Sequence, residues 1–80
     1  MNAMFTLQEL KLWRIFKDNE GKALDYGFFS RLPPFESRKN LILAVLKVRR
    51  KMLFLDPKGK IVTVRGYGYK YEKLPDLRKS

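Results

Sequence analysis

The residues best suited to binding chemistry lie in the segment 61–71, IVTVRGYGYKY. Valine, isoleucine, threonine and tyrosine favour β-strands, and Gly66 and Gly68 suit the positive-φ positions of a tight hairpin turn. Arg65 then lies at the turn, with Tyr67 and Tyr69 beside it. An arginine on a thin projecting hairpin can enter a narrow, electronegative groove. From this segment alone, a surface hairpin with one solvated arginine is an equally good interpretation.

The composition favours a polyanionic partner. The 80 residues include 18 lysines and arginines against 8 aspartates and glutamates, a formal net charge of +10. For a chain this short, nucleic acid is the first candidate. With 45% hydrophobic residues the chain is long enough for one small folded domain. We expect this domain to span 1–72 and 73–80 to form a basic, flexible tail.

Several kinds of site are excluded by residue type. The chain has no cysteine and no histidine, which excludes disulfides, thiolate or imidazole zinc sites and Cys/His nucleophile–base pairs. The acidic residues are scattered, and Glu9, Asp25 and Asp56 suit helix caps and a turn. No P-loop or dinucleotide motif is present. We therefore expect no enzymatic activity, no cofactor, no metal and no small-molecule ligand.

Membrane and export signals are also missing from the sequence. No apolar run approaches the roughly 20 residues of a membrane span. The N-terminal residues do not resemble a signal peptide. We therefore expect a cytoplasmic protein without a membrane partner.

Helix-capping patterns predict the first two helices. Thr6 and Glu9 form a capping box, and apolar residues at helical spacing follow to about residue 16. A short extended segment is expected at 22–24. Asp25 can cap a second, short helix, which Pro33 and its neighbouring proline stop near residue 32.

A third helix is predicted at about 37–53. Four apolar residues at helical spacing form its core stripe: Leu41, Val45, Val48 and Met52. The opposite face carries Lys39, Asn40, Leu43, Lys47 and Arg50. A second apolar stripe, Ile42, Leu46 and Leu53, is either covered by the first two helices or contacts a partner. The order helix, short strand, helix, helix, hairpin predicts an α+β winged helix-turn-helix, in which the third helix enters the major groove.

Four motifs resemble those of a known family. The opening Phe5-Thr6-x-x-Glu9 with Leu12-Trp13 is similar to Leu-Thr-x-x-Glu followed by Leu-Leu. The segment 48–52, VRRKM, is similar to Leu-Arg-Arg-Lys-Leu, and Asp56-Pro57 matches a frequent Asp-Pro. The segment 63–71, TVRGYGYKY, matches the wing signature Thr-Val-Arg-Gly-x-Gly-Tyr-Arg-Phe. Residues 5–71 thus resemble the C-terminal DNA-binding domain of OmpR/PhoB-type response regulators.

The departures from that family concern the regulation of the protein and its recognition of bases. Because the chain begins almost at the first helix, we expect neither the family's N-terminal sheet nor its phosphorylatable receiver. The loop 33–36 is short where the family has a loop that can contact RNA polymerase. Ile42 replaces a common aspartate and Lys39 a common arginine, so the base readout is expected to differ while the docking mode is retained.

Helical phase and the resemblance together predict the binding residues. The base-facing residues are Asn40, Leu43 and Lys47, which suit adenine, a thymine methyl group and guanine respectively. The phosphate-contacting residues are Lys39, Arg49, Arg50, Lys51 and Tyr69. Arg65 and Tyr67 belong to the wing. Alternatives remain open: the basic residues and Asn40 also suit a solvated helix face, and the tyrosines also suit packing of the wing onto the third helix.

The leading hypothesis is a sequence-specific double-stranded DNA-binding transcription regulator, free as a monomer or weak dimer and able to dimerise on DNA. The alternative is a protein-interaction module that binds RNA polymerase or another regulator. RNA binding is a third and weaker option. The basic third helix and Arg65 favour DNA, whereas the second apolar stripe favours a protein partner.

Overall fold

Three helices and three strands make up the computed structural model, which describes residues 4–74. In chain order they are α1 (Leu7–Asp18), β1 (Ala23–Asp25), α2 (Tyr26–Ser30), α3 (Arg38–Leu55), β2 (Gly59–Val64) and β3 (Gly68–Lys73). The strands form one antiparallel sheet in the order β1-β3-β2. The predicted fold class is confirmed, and the arrangement is compatible with a winged helix.

Each helix begins at a side-chain cap. The Thr6 hydroxyl accepts the Glu9 N–H at 3.2 Å, and the Glu9 carboxylate accepts the Thr6 N–H at 2.9 Å. At α2 the Asp25 carboxylate accepts the Phe28 N–H at 2.7 Å. At α3 the hydroxyl of Ser37 accepts a backbone N–H at 3.4 Å. These caps satisfy N–H groups that lack a partner within the helix, and all three predicted starts are confirmed.

The hydrophobic core lies between α3 and the other elements. The four predicted core-stripe residues of α3 are buried: Leu41, Val45, Val48 and Met52. They belong to one cluster with residues of α1, α2 and the sheet, including Leu12, Phe16, Phe29, Ile61 and Tyr71. Burial of this apolar surface supplies the main driving force for folding, and it leaves the opposite face of α3 outward.

The two glycines of the hairpin have different roles. Gly66 lies in the β2–β3 turn with φ at +72°, as predicted. The prediction of a positive φ is wrong for Gly68, which pairs with Asp25 of β1 and Val64 of β2. A Cβ atom at Gly68 would lie 1.9 Å from the carbonyl oxygen of Leu24. Glycine is therefore required there because β1 and β3 approach closely.

Element ends differ from the predictions by about two residues. α2 ends at Ser30 and α3 continues to Leu55. The tail predicted from residue 73 is wrong at its start, because Lys73 belongs to β3 and the Leu74 N–H donates to the Lys58 carbonyl at 2.8 Å. Residues 75–80 of the predicted tail lie outside the described residues. Within 4–74, no helix is long and apolar enough to cross a membrane.

Candidate nucleic-acid interface

The outer face of α3 presents polar and basic side chains to solvent. This face is defined by five exposed residues: Lys39, Asn40, Leu43, Lys47 and Arg50. They lie opposite the buried stripe because α-helical residues advance about 100° per position. Within residues 4–74, the side chains of Lys39, Lys47 and Arg50 have no hydrogen bond or ion pair. Their charges are therefore available to an external partner.

The three predicted base-facing residues share one groove. Asn40, Leu43 and Lys47 line it on the α3 side, and the first turn of α1 forms the other wall through Leu7 and Gln8. The groove has a volume of about 590 Å³ and is open to solvent. The structure therefore brings together the side chains that the sequence predicts to act together.

The wing is the β2–β3 hairpin with its turn at 65–67. Arg65 is exposed in this turn and has no hydrogen-bond or ion-pair partner in the described part of the chain. The Tyr67 N–H donates to the Val64 carbonyl at 2.9 Å, and the Tyr67 carbonyl accepts the Tyr26 N–H at 3.0 Å. The turn is thus held against the start of α2 while the guanidinium group remains outside.

Tyr69 is placed in the core instead of at the predicted phosphate contact. Its side chain is only 5% exposed, and its ring packs at 6.0 Å from Tyr26 and 6.5 Å from both Phe16 and Phe29. Burial raises the pKa of the Tyr69 hydroxyl. The structure thus supports a packing role for Tyr69, but mainly against α1 and α2 and not against α3 as considered from the sequence, and we leave Tyr69 out of the candidate phosphate contacts.

Arg49 joins α3 to the wing. Its Nε donates to the Ile61 carbonyl at 3.1 Å and its Nη2 donates to the Thr63 hydroxyl at 2.9 Å. Its guanidinium carbon also lies 5.9 Å from the centre of the Tyr69 ring. Because these donors are already used within the protein, Arg49 positions the interface and is a poor candidate for the predicted phosphate contact.

Lys51 joins α3 to α1 in a comparable way. Its Nζ lies 2.6 Å from Glu9 Oε1. Partial burial opposes ionisation of Glu9, but the Lys51 ammonium group and the Thr6 N–H outweigh it and hold the pKa of Glu9 below its usual value. Lys51 is therefore also a poor candidate for a free phosphate contact.

The side chains of the basic run 49–51 thus point in three different directions. Successive helical residues point about 100° apart, so Arg49 faces β2, Arg50 faces solvent and Lys51 faces α1. The angular spacing was readable from the sequence. The partners on either side depend on the tertiary arrangement.

The second apolar stripe of α3 is not covered by α1 or α2. Ile42 is 40% exposed, Leu46 44% and Leu53 72%. The alternative in which the first two helices cover this stripe is therefore wrong. Phe54, which the sequence analysis did not single out, is 73% exposed.

Asp56 has a structural role beyond the predicted turn. Its buried carboxylate accepts the Trp13 indole N–H at 3.1 Å and also the Tyr71 hydroxyl. Burial, together with the Asp56 carboxylate, raises the pKa of Tyr71. This carboxylate therefore connects α1, the end of α3 and β3.

No protein-family model matches the chain, and no match is found among curated proteins. The features of the molecule that bear on function are therefore its α+β fold and the exposed cations of the outer face of α3.

Proposed function

We propose that this chain is a sequence-specific double-stranded DNA-binding protein that regulates transcription. In this proposal α3 enters the major groove and the β2–β3 turn contacts the backbone or the adjacent minor groove. The observation that carries the proposal is the placement of Lys39, Lys47 and Arg50, exposed and without partners in 4–74, on one face of a single helix. The wing adds Arg65 as a further exposed cation.

The contacts divide by chemistry. Asn40 pairs with adenine, Lys47 donates to guanine O6 and N7, and Leu43 contacts a thymine methyl group. Lys39 and Arg50 neutralise phosphates, which fixes the orientation of the helix without reading sequence. Arg65 contacts the minor groove or a phosphate. The intramolecular bonds of Arg49 and Lys51 argue that both act only by positioning α3.

We also propose a relationship to the OmpR/PhoB-type DNA-binding domain. It is supported by the capping box at Thr6, by the α+β fold and by the position of Arg65 in the turn of a hairpin. The proposal gives the protein a cytoplasmic location. It assigns the chain no catalytic reaction and no cofactor.

A protein-interaction function is the second candidate. Leu53 and Phe54 project from the last turn of α3 with most of their surface exposed. Side chains of this size at a helix end suit contact with RNA polymerase or another regulator. DNA binding is the better-supported function because it accounts for the cations of the outer face of α3.

A salt titration tests the proposal. Fluorescence anisotropy would measure the affinity of the full chain for a labelled duplex at several salt concentrations. We expect log K to fall linearly with log salt by about 0.9 for each phosphate neutralised. A flat salt dependence, or no binding at low salt, would contradict it. If the protein dimerises on DNA, footprints should show two half-sites about one helical turn apart.

A further inference from the structure

Three apolar residues form a compact exposed patch within the cationic part of α3. Ile42, Leu43 and Leu46, here called the α3 apolar patch, are 40%, 47% and 44% exposed. Leu46 lies four positions after Ile42 and three after Leu43, so the three side chains are neighbours on the helix surface. In the described residues, the other elements leave this fraction of each side chain open to solvent. Their exposure has an energetic cost unless a partner covers them.

The charges around the patch restrict the partner. Every charged residue three or four positions from a member of the patch is basic: Arg38, Lys39, Lys47, Arg49 and Arg50. A second copy of this chain would bring like charges together, which disfavours self-association through this surface. A suitable partner combines negative charge with small apolar groups at the depth of the helix surface.

Duplex DNA meets both requirements in its major groove. Phosphates line the groove, and the apolar group that an ordinary base pair presents on its floor is the C5-methyl group of thymine. From these observations, and on the basis of the proposed function, we infer that the α3 apolar patch recognises pyrimidine C5-methyl groups. The ligands are thymine and, where it occurs, 5-methylcytosine, which carries its methyl group on the same ring carbon.

The patch therefore adds a component to recognition beyond the hydrogen bonds of Asn40 and Lys47. Covering one methyl group is worth about a fourfold change in affinity. Two or three neighbouring methyl groups would give the protein a preference for runs of thymine. Unlike the phosphate contacts, this preference should not weaken as salt increases.

The test removes methyl groups from the DNA and leaves the protein unchanged. The full chain would first be used to select its best-binding duplex from a randomised pool. That duplex would then be resynthesised with deoxyuridine in place of each thymidine in turn. We expect a loss of about fourfold at each thymine that the patch covers. At such a position, a 5-methylcytosine–guanine pair should bind about fourfold more tightly than a cytosine–guanine pair.

Protein variants then assign the effect to the patch. Ile42→Ala and Leu46→Ala should bind thymine and uracil duplexes with nearly equal affinity. The matched control is Leu53→Ala, which removes an exposed leucine about 10 Å further along the same side of the helix and should retain the discrimination. Both patch residues are well exposed, so we expect the variants to remain folded.

The outcomes separate this inference from the proposed function. A selected site without thymine, or equal affinity of the unchanged protein for thymine and uracil duplexes, would overturn the inference. If binding still fell steeply with salt, the proposed function would stand. Failure to bind any duplex at low salt would overturn both. Discrimination that survives in Ile42→Ala and Leu46→Ala would place methyl recognition outside the patch and also overturn the inference.

Discussion

Two adjacent cations on α3 should respond differently to removal. Arg50 is exposed and has no partner within the described range, whereas Lys51 forms an ion pair with Glu9. If DNA binds the outer face of α3, Arg50→Ala should remove a phosphate contact. Lys51→Ala should leave the DNA contacts unchanged and reduce the stability of the fold.

The expected salt dependence of DNA binding follows from the number of free cations that are assigned to phosphates. Lys39, Arg50 and Arg65 give a slope of log K against log salt of about −2.7 if each neutralises one phosphate, since Lys47 is assigned to guanine. The affinity should then fall about 40-fold between about 50 and 200 mM salt. Arg50→Ala should reduce the slope to about −1.8 and the fall to about 12-fold.

Lys51→Ala should keep the slope of the unchanged protein. Its effect should be a loss of about 1 kcal/mol of unfolding free energy, since the ion pair with Glu9 is only partly buried. In a domain of this size that corresponds to a decrease of about 4–8 °C in Tm. Fluorescence anisotropy across a salt series measures the slope, and thermal unfolding followed by circular dichroism measures the stability.

Two results would refute this reasoning. An unchanged slope in Arg50→Ala would place the DNA elsewhere on the molecule. A slope of about −4.5 in the unchanged protein, with a decrease of about 0.9 in Lys51→Ala, would mean that Arg49 and Lys51 leave their partners to bind phosphates. The exclusion of Arg49 and Lys51 from the phosphate contacts would then be wrong.

Three further predictions concern single side chains. Val45→Ala should cost about 2 kcal/mol of stability by leaving a cavity in the core, whereas Lys47→Ala should fold normally and alter discrimination between DNA sequences. Urea unfolding measures the stability and competition binding measures the discrimination. The reverse pattern would mean that the buried and outer faces of α3 are wrongly assigned. Arg65→Ala should weaken DNA binding by about 1–3 kcal/mol without changing stability, and unchanged affinity in low salt would remove Arg65 from the interface. Glu9→Gln should be less stable than the unchanged protein at pH 7. Because the pKa of Glu9 is lowered in the folded state, its contribution should be fully present above the unfolded value of about 4.3 and should be lost as pH falls through the lower folded-state pKa, so urea unfolding at successively lower pH should bring the two stabilities together.

Local chemistry made much of the fold predictable from the sequence. The caps at Thr6, Asp25 and Ser37 each depend on residues no more than three positions apart. The buried stripe of α3 depends only on helical periodicity. The start of each helix and the side of α3 that faces the core could therefore be predicted without knowledge of the tertiary structure.

Tertiary pairing explains what the sequence left undecided. Arg49 is 12 positions from Ile61, and Lys51 is 42 positions from Glu9, so neither partner was evident. The requirement for glycine at Gly68 comes from β1, which lies more than 40 positions earlier in the chain. Whether a hydrophobic stripe is covered likewise depends on how the helices are arranged.

The double hydrogen bond of Arg49 to β2 also affects how the protein would fit a duplex. Since Arg49 fastens the middle of α3 to β2 of the wing, it restricts the movement of the backbone at Lys47 relative to the backbone of the wing. If Lys47 and Arg65 contact DNA as proposed, the DNA would have to bend or change its groove width to meet both contacts. Base pairs between the two contacts, which no side chain reaches, would affect affinity through their stiffness.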